Sequence, residues 1–175
     1  MPYEGDRVYA DQFLPEIARL IAPFLLAPTP ELIDRRQCAD LMVVHGHDRR
    51  IAVRVRRPGY AQQYPHQFTL RCQRDTGTET ELAKVINGWG DWMFYGHASF
   101  DEQTIETWWL IDLCAFRAAL IREARNGARL NWGDTPNGDG THFRWFDIRS
   151  FPAYPPLIIA SSAPVPPLDE PRLAL

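Results

Sequence analysis

The run TIETWWLIDL, residues 104–113, constrains this chain more than any other stretch. It is rich in β-branched and aromatic residues, which suits a strand, and it has no continuous polar face. It falls far short of the roughly 18 apolar residues of a membrane span. A strand of this kind must be covered on both sides, as in sheets sandwiched between other layers. The fold therefore needs a sheet with material above it and below it.

The rest of the sequence supplies candidates for those layers. Residues 11–26 place Phe13, Leu14, Ile17, Leu20, Ile21, Phe24 and Leu25 on one helical stripe, with Pro23 set to kink or end the helix. Residues 40–44 and 51–57 read as antiparallel strands joined through HGHDRR, and QFTLRCQR follows as a third strand in which Phe68, Leu70 and Cys72 alternate with polar neighbours. From Thr78 onward a second helix is expected, with Thr78 and Glu81 at capping-box spacing and a stripe through Leu82, Val85, Ile86, Trp89 and Met93. Gly88 and Gly90 weaken its second half. CAFRAALIREARNG reads as a helix closed by Asn126-Gly127, and NGDG at 137–140 as the turn of a terminal hairpin. Helices interleaved with a short mixed sheet imply α/β layers around one core. Seven of the fifteen prolines fall in the last 24 residues, so residues 1–150 are expected as one domain and 151–175 as an extended proline-rich arm.

Charge is unevenly placed. Of 19 basic residues, seven arginines (Arg49, Arg50, Arg54, Arg56, Arg57, Arg71 and Arg74) lie within residues 49–74, a stretch with no acid. That leaves 12 basic against 22 acidic residues elsewhere, and a net charge of −3. One positive segment on an otherwise acidic chain is the footprint of an anionic partner. The competing explanation is that these arginines pair with the acidic remainder. Cys38, Cys72 and Cys114 are far apart and form no CxxC pair, so they read as reduced, buried thiols and not as zinc ligands. MPYEGDRVYA has neither the basic start nor the apolar centre of a signal peptide, and the default expectation is a cytoplasmic protein without a membrane partner. His45 and His47 flank Gly46 as loop residues, and Trp89, Trp92, Tyr95, Trp108 and Trp109 are expected in the core.

The order of elements, with Asp40 leading one strand and charged residues alternating on the next, resembles the PD-(D/E)xK nuclease superfamily. It is closest to the restriction-endonuclease-like and Holliday-junction-resolvase-like branch. The resemblance spans roughly residues 11–113 and implies a mixed sheet flanked by helices, here with the hairpin and arm added. It also implies two carboxylates holding Mg²⁺ beside a lysine. Asp40 takes the place of the first acid. The acid and lysine of the second strand fall on Arg54 and Arg56, or in a shifted frame on Ala52 and Arg54. Neither frame supplies a second carboxylate, and one carboxylate anchors magnesium poorly. Catalysis then requires a migrated acid, and Glu81 with Lys84 is the available acid–lysine pair, Glu79 being weaker; the metal ligands would be Asp40 and Glu81.

Three readings follow. The first is a nuclease-like nucleic-acid-binding protein, DNA favoured, with a degenerate catalytic centre whose arginine forks grip phosphates. The second is an active Mg²⁺-dependent deoxyribonuclease using Asp40, Glu81 and Lys84. The third is a protein-interaction module, of the kind a phage or other mobile element carries, acting through the basic face or the proline arm. In the first reading Arg54 should ion-pair with Asp40.

Overall fold

The computed structural model describes residues 2–28, 41–43, 49–74, 77–127 and 129–166. Two helices come first, α1 (Pro2–Asp11) and α2 (Leu14–Leu25), then two short strands, β1 (Leu26–Pro28) and β2 (Leu41–Val43). β3 (Ile51–Arg56), α3 (Tyr60–Gln63), β4 (Gln67–Gln73), α4 (Glu81–Ile86) and β5 (Trp92–Ala98) follow. The chain continues through β6 (Ile105–Asp112), α5 (Leu113–Asn126), the hairpin β7 (Trp132–Pro136) and β8 (His142–Asp147), and β9 (Ile158–Ser161). The strands form a mixed four-stranded sheet in the order β3-β5-β6-β9, a three-stranded antiparallel sheet in the order β4-β8-β7, and the separate pair β1-β2. This is the mixed α/β architecture that the alternation of periods implied.

β6 lies inside the main sheet, and Trp108, Trp109, Leu110 and Ile111 are all buried. Its alternation divides them between two cores. Trp108 and Leu110 join Val55, Phe94 and Ala160 against Phe13, Ile17 and Ile21, so the amino-terminal helices cover one face. Trp109 and Ile111 join Met93 and Tyr95 against Phe68, Leu70 and Phe146 of the second sheet and Phe116 of α5. Full burial of each such side chain is worth about 1.5–3 kcal/mol, which is why a strand apolar on both faces occupies the middle layer. No helix among the described residues is long and apolar enough to cross a membrane.

Five expectations need correction. The first is the antiparallel pairing of residues 40–44 with 51–57 and the strand that follows them. β3 runs parallel to β5 at the end of the four-stranded sheet, while β2 pairs with β1 and β4 with β8. Val53 and Val55 of β3 pack on the helix side, which leaves Arg54 and Arg56 on the other. A strand carrying two guanidiniums on one face is costly in the middle of a sheet, whereas an end position leaves them a rim to project from.

The second concerns the helix from Thr78, which stops at Ile86. Gly88 and Gly90 have φ of 91° and 73°, left-handed values that reverse the chain and launch residues 92–98 as a fully buried strand. Its cap is Thr80, whose Oγ1 accepts the Ala83 N–H at 3.2 Å, in place of Thr78. Trp89 is left 60% exposed.

Third, the amino-terminal stripe is two helices separated at Gln12-Phe13, and Leu14 and Phe24 are exposed. Fourth, the proline-rich segment does not leave the domain at residue 151. Residues 157–163 contain no proline, so β9 pairs with β6 as an edge strand and Leu157 enters the core. Cys114 is exposed and Cys72 half-buried, which corrects the expectation of buried thiols; Cys38 lies outside the described residues.

Candidate functional site

Across the parallel ladder Arg54 stands beside Tyr95, and Arg56 beside His97. These side chains look toward the second sheet, where Thr69 and Arg71 alternate with core residues Phe68 and Leu70 on β4. Residues of both sheets and of α1, α3 and α4 line an open cavity of about 880 Å³. Among the described residues, seven cationic side chains line it against two carboxylates, Asp11 and Glu81.

Five of the seven clustered arginines (Arg54, Arg56, Arg57, Arg71 and Arg74) line this cavity. Arg49 and Arg50 do not, because Asp91 holds them at the start of β3. The Arg50 amide and Nε donate to Asp91 Oδ2 at 2.9 and 3.5 Å, and Arg49 Nη1 lies 3.8 Å from Oδ1. The amide hydrogen bond, with the two guanidiniums, keeps the Asp91 carboxyl below its ordinary range. Arg57 lies 3.8 Å from Glu102 and over the Tyr9 ring.

Glu81 opens α4, where its carboxylate meets both sheets. Oε2 accepts from Arg54 Nη1 at 2.6 Å and from the Arg71 amide at 3.1 Å. Phe143 of β8 stands between the two arginines, with its ring centre 4.7 Å from the Arg54 guanidinium and 5.1 Å from that of Arg71. Arg71 is 8% exposed. So β3, β4, α4 and β8 together hold two guanidiniums facing the cavity. Arg56 lies over the Tyr60 ring at 4.1 Å, a cation–π contact worth about 0.5–1 kcal/mol when exposed. Among the described residues no carboxylate lies within 4.0 Å of Arg56 or Lys84.

Three further polar groups sit in the wall. The Tyr95 and Thr69 hydroxyls are 3.2 Å apart. His97 is 2% exposed, with Nδ1 3.3 Å from Thr107 Oγ1. Burial, reinforced by the Arg56 charge, lowers its pKa to about 4, so the imidazole is neutral at pH 7.

The structure thus brings together Glu81, Lys84, Arg54, Arg56, Arg57, Arg71 and Arg74. Asp40, His45 and His47 lie outside the described residues. Arg54 has Glu81 as a partner, the expected Arg54–Asp40 pair falls outside the described residues, and Glu81 serves the Arg71 amide where a capping box was expected. Glu79 accepts from Asn87 Nδ2 at 2.7 Å and does not line the cavity. No group of three or more His, Cys, Asp or Glu residues converges among the described residues. Magnesium requires several oxygen ligands in octahedral array. Glu81, sharing one oxygen between a guanidinium and an amide, does not fit that requirement.

Tyr95, His97, Thr69, Tyr60 and Phe143 were missed as site residues. Tyr95 and His97 had a usable signal, since residues 92–98 read with period two place Met93, Tyr95 and His97 on one face. Set against known proteins, the chain matches no family model, no curated protein and no solved structure.

Proposed function

We propose that this chain binds nucleic acid through the arginine-lined cavity and does not cut it. One observation carries the reading. Among the described residues, the acid best placed to hold a catalytic cation, Glu81, instead holds Arg54 at 2.6 Å, inside a cavity where described cations outnumber described carboxylates seven to two. A surplus of forked guanidiniums matches phosphate oxygens, and a row of phosphates repays that surplus by releasing counterions.

The restriction-endonuclease-like fold belongs to this proposal as well. Its support is the sequence of helix, strands, helix and strand with Asp40 at the head. The parallel pairing of β3 with β5 departs from the antiparallel run of strands that the resemblance implied.

The test is a binding isotherm for short DNA between 50 and 200 mM salt, beside a cleavage assay with Mg²⁺ and Mn²⁺. Affinity should fall steeply with salt. The double variant Arg54→Ala, Arg56→Ala should weaken all sequences alike and lower the salt slope by about 0.7 to 0.9 per lost phosphate contact. Neither metal should yield cleavage. Absence of binding at 50 mM salt would remove nucleic acid as the partner. Cleavage abolished by Glu81→Gln would restore the migrated-acid nuclease.

A further inference from the structure

We infer that the cavity takes a single strand, with bases stacked on aromatic rings at both of its ends; this rests on the nucleic-acid reading above. The observation is where the exposed aromatic rings lie. Trp89, Tyr60 and Tyr64 are 60%, 38% and 39% exposed, and all three line the cavity. Scattered surface aromatics are ordinary, but these three gather on the walls of one cationic recess.

Each platform has a cation beside it. The Arg56 guanidinium lies 4.1 Å from the centre of Tyr60, and the Tyr60 and Tyr64 rings are 6.2 Å apart, tilted by 32°. At the other end the Arg50 guanidinium lies 6.0 Å from Trp89, and the Trp89 amide is bonded to the Lys84 carbonyl. The six-residue strand β3 separates these ends, a length of about 20 Å at 3.3 Å per residue. Stacked nucleotides rise about 3.4 Å each, so about six fit between the platforms, within the range of sites that combine a cationic track with stacking rings.

Shape argues against a duplex. Arg71 is 8% exposed and Tyr95 1%, so these lining residues lie in a recess that a rigid double helix touches only at the rim. Its bases are also stacked on each other and unavailable to the rings. A single strand can thread the recess and offer its bases to Trp89, Tyr60 and Tyr64.

The test compares fluorescein-labelled dT12, U12 and the dT12·dA12 duplex by anisotropy at 50 mM salt, with wild type, Trp89→Ala and Tyr60→Ala. A single strand, of DNA or of RNA, should bind at least tenfold tighter than the duplex. Each variant should lose about tenfold for that strand while its salt slope stays unchanged, because stacking carries no counterion. Far-ultraviolet circular dichroism and melting confirm that these exposed positions leave the fold intact. Duplex binding equal to or tighter than both single strands would overturn this inference and leave the nucleic-acid reading standing, as would full-strength single-strand binding by both variants. No binding by any of the three probes would overturn both.

Discussion

Replacing Glu81 by glutamine tests the centre of the site, because its effects on stability and on binding should run in opposite directions. The substitution keeps an amide oxygen near the Arg71 N–H and removes the charge that holds Arg54 at 2.6 Å. The two side chains are 16% and 31% exposed, between the surface pairs worth 0–1 kcal/mol and the buried ones whose breakage costs 3–5. A loss of about 1–2 kcal/mol is therefore expected, or a melting temperature about 2–8 °C lower for a chain of this size. Binding should improve. Removing a negative charge a few ångströms from a phosphate is worth on the order of 1 kcal/mol, about fivefold in affinity. Arg54, released, adds about one phosphate contact, which steepens a single-strand salt slope by about 0.7. Between 50 and 200 mM salt that amounts to about 2.5-fold more loss than in wild type. Calorimetric melting and anisotropy titrations with dT12 at both salts measure every term. Weaker binding by Glu81→Gln, or an unchanged slope, would refute the idea that Glu81 restrains a phosphate-binding arginine.

His97 gives a pH signature. With its pKa lowered to about 4 against about 6.5 unfolded, the unfolded chain binds more protons between those values. Stability should thus fall as pH drops from 7 to 4.5, by about 2 kcal/mol from this group. Urea unfolding of His97→Gln should lack that part of the pH dependence, and identical pH profiles would refute it. Gly133 lies opposite Trp145 in the β7–β8 ladder, and a Cβ there would come within 2.8 Å of the indole. Gly133→Ala should displace that ring, costing about 1–3 kcal/mol and weakening dT12 binding, since Trp145 lines the cavity. Unchanged stability in urea would show that the ring has room to move.

The parts of the fold legible in the sequence carried both a period and punctuation. β6 announces itself by apolar content. α5 has Asp112, whose carboxylate accepts the Cys114 and Ala115 amides, at its start, and Gly127 at its end. Residues 82–93 fit a helical stripe, yet two glycines with positive φ divide them into a short helix and a strand, and apolar spacing alone does not weigh those glycines. For β3 the alternation gave the strand and its arginine face but not its neighbour, because pairing depends on which surface buries Val53 and Val55. The cavity was the least legible feature. Its residues come from α1, β3, α3, β4, α4, β5, α5, β7 and β8, and only the fold brings Glu81 to Arg54, 27 positions apart in the chain. The arginine cluster itself was visible, although Asp91 diverts two of its seven members.

β9 also bears on how the protein is made. Its partner β6 precedes it by some 50 residues, and β4 waits even longer for β8. Pairings over such separations are slow to form, because loop closure comes before the contacts that reward it. On a ribosome, β6 would emerge with one edge bare until residues 158–161 arrive. An exposed apolar edge invites pairing with other chains, so a nascent chain paused, or a transcript cut, near residue 150 should yield aggregates and not a smaller folded protein. The proline-rich end, which in sequence looks dispensable, supplies the strand that closes the sheet.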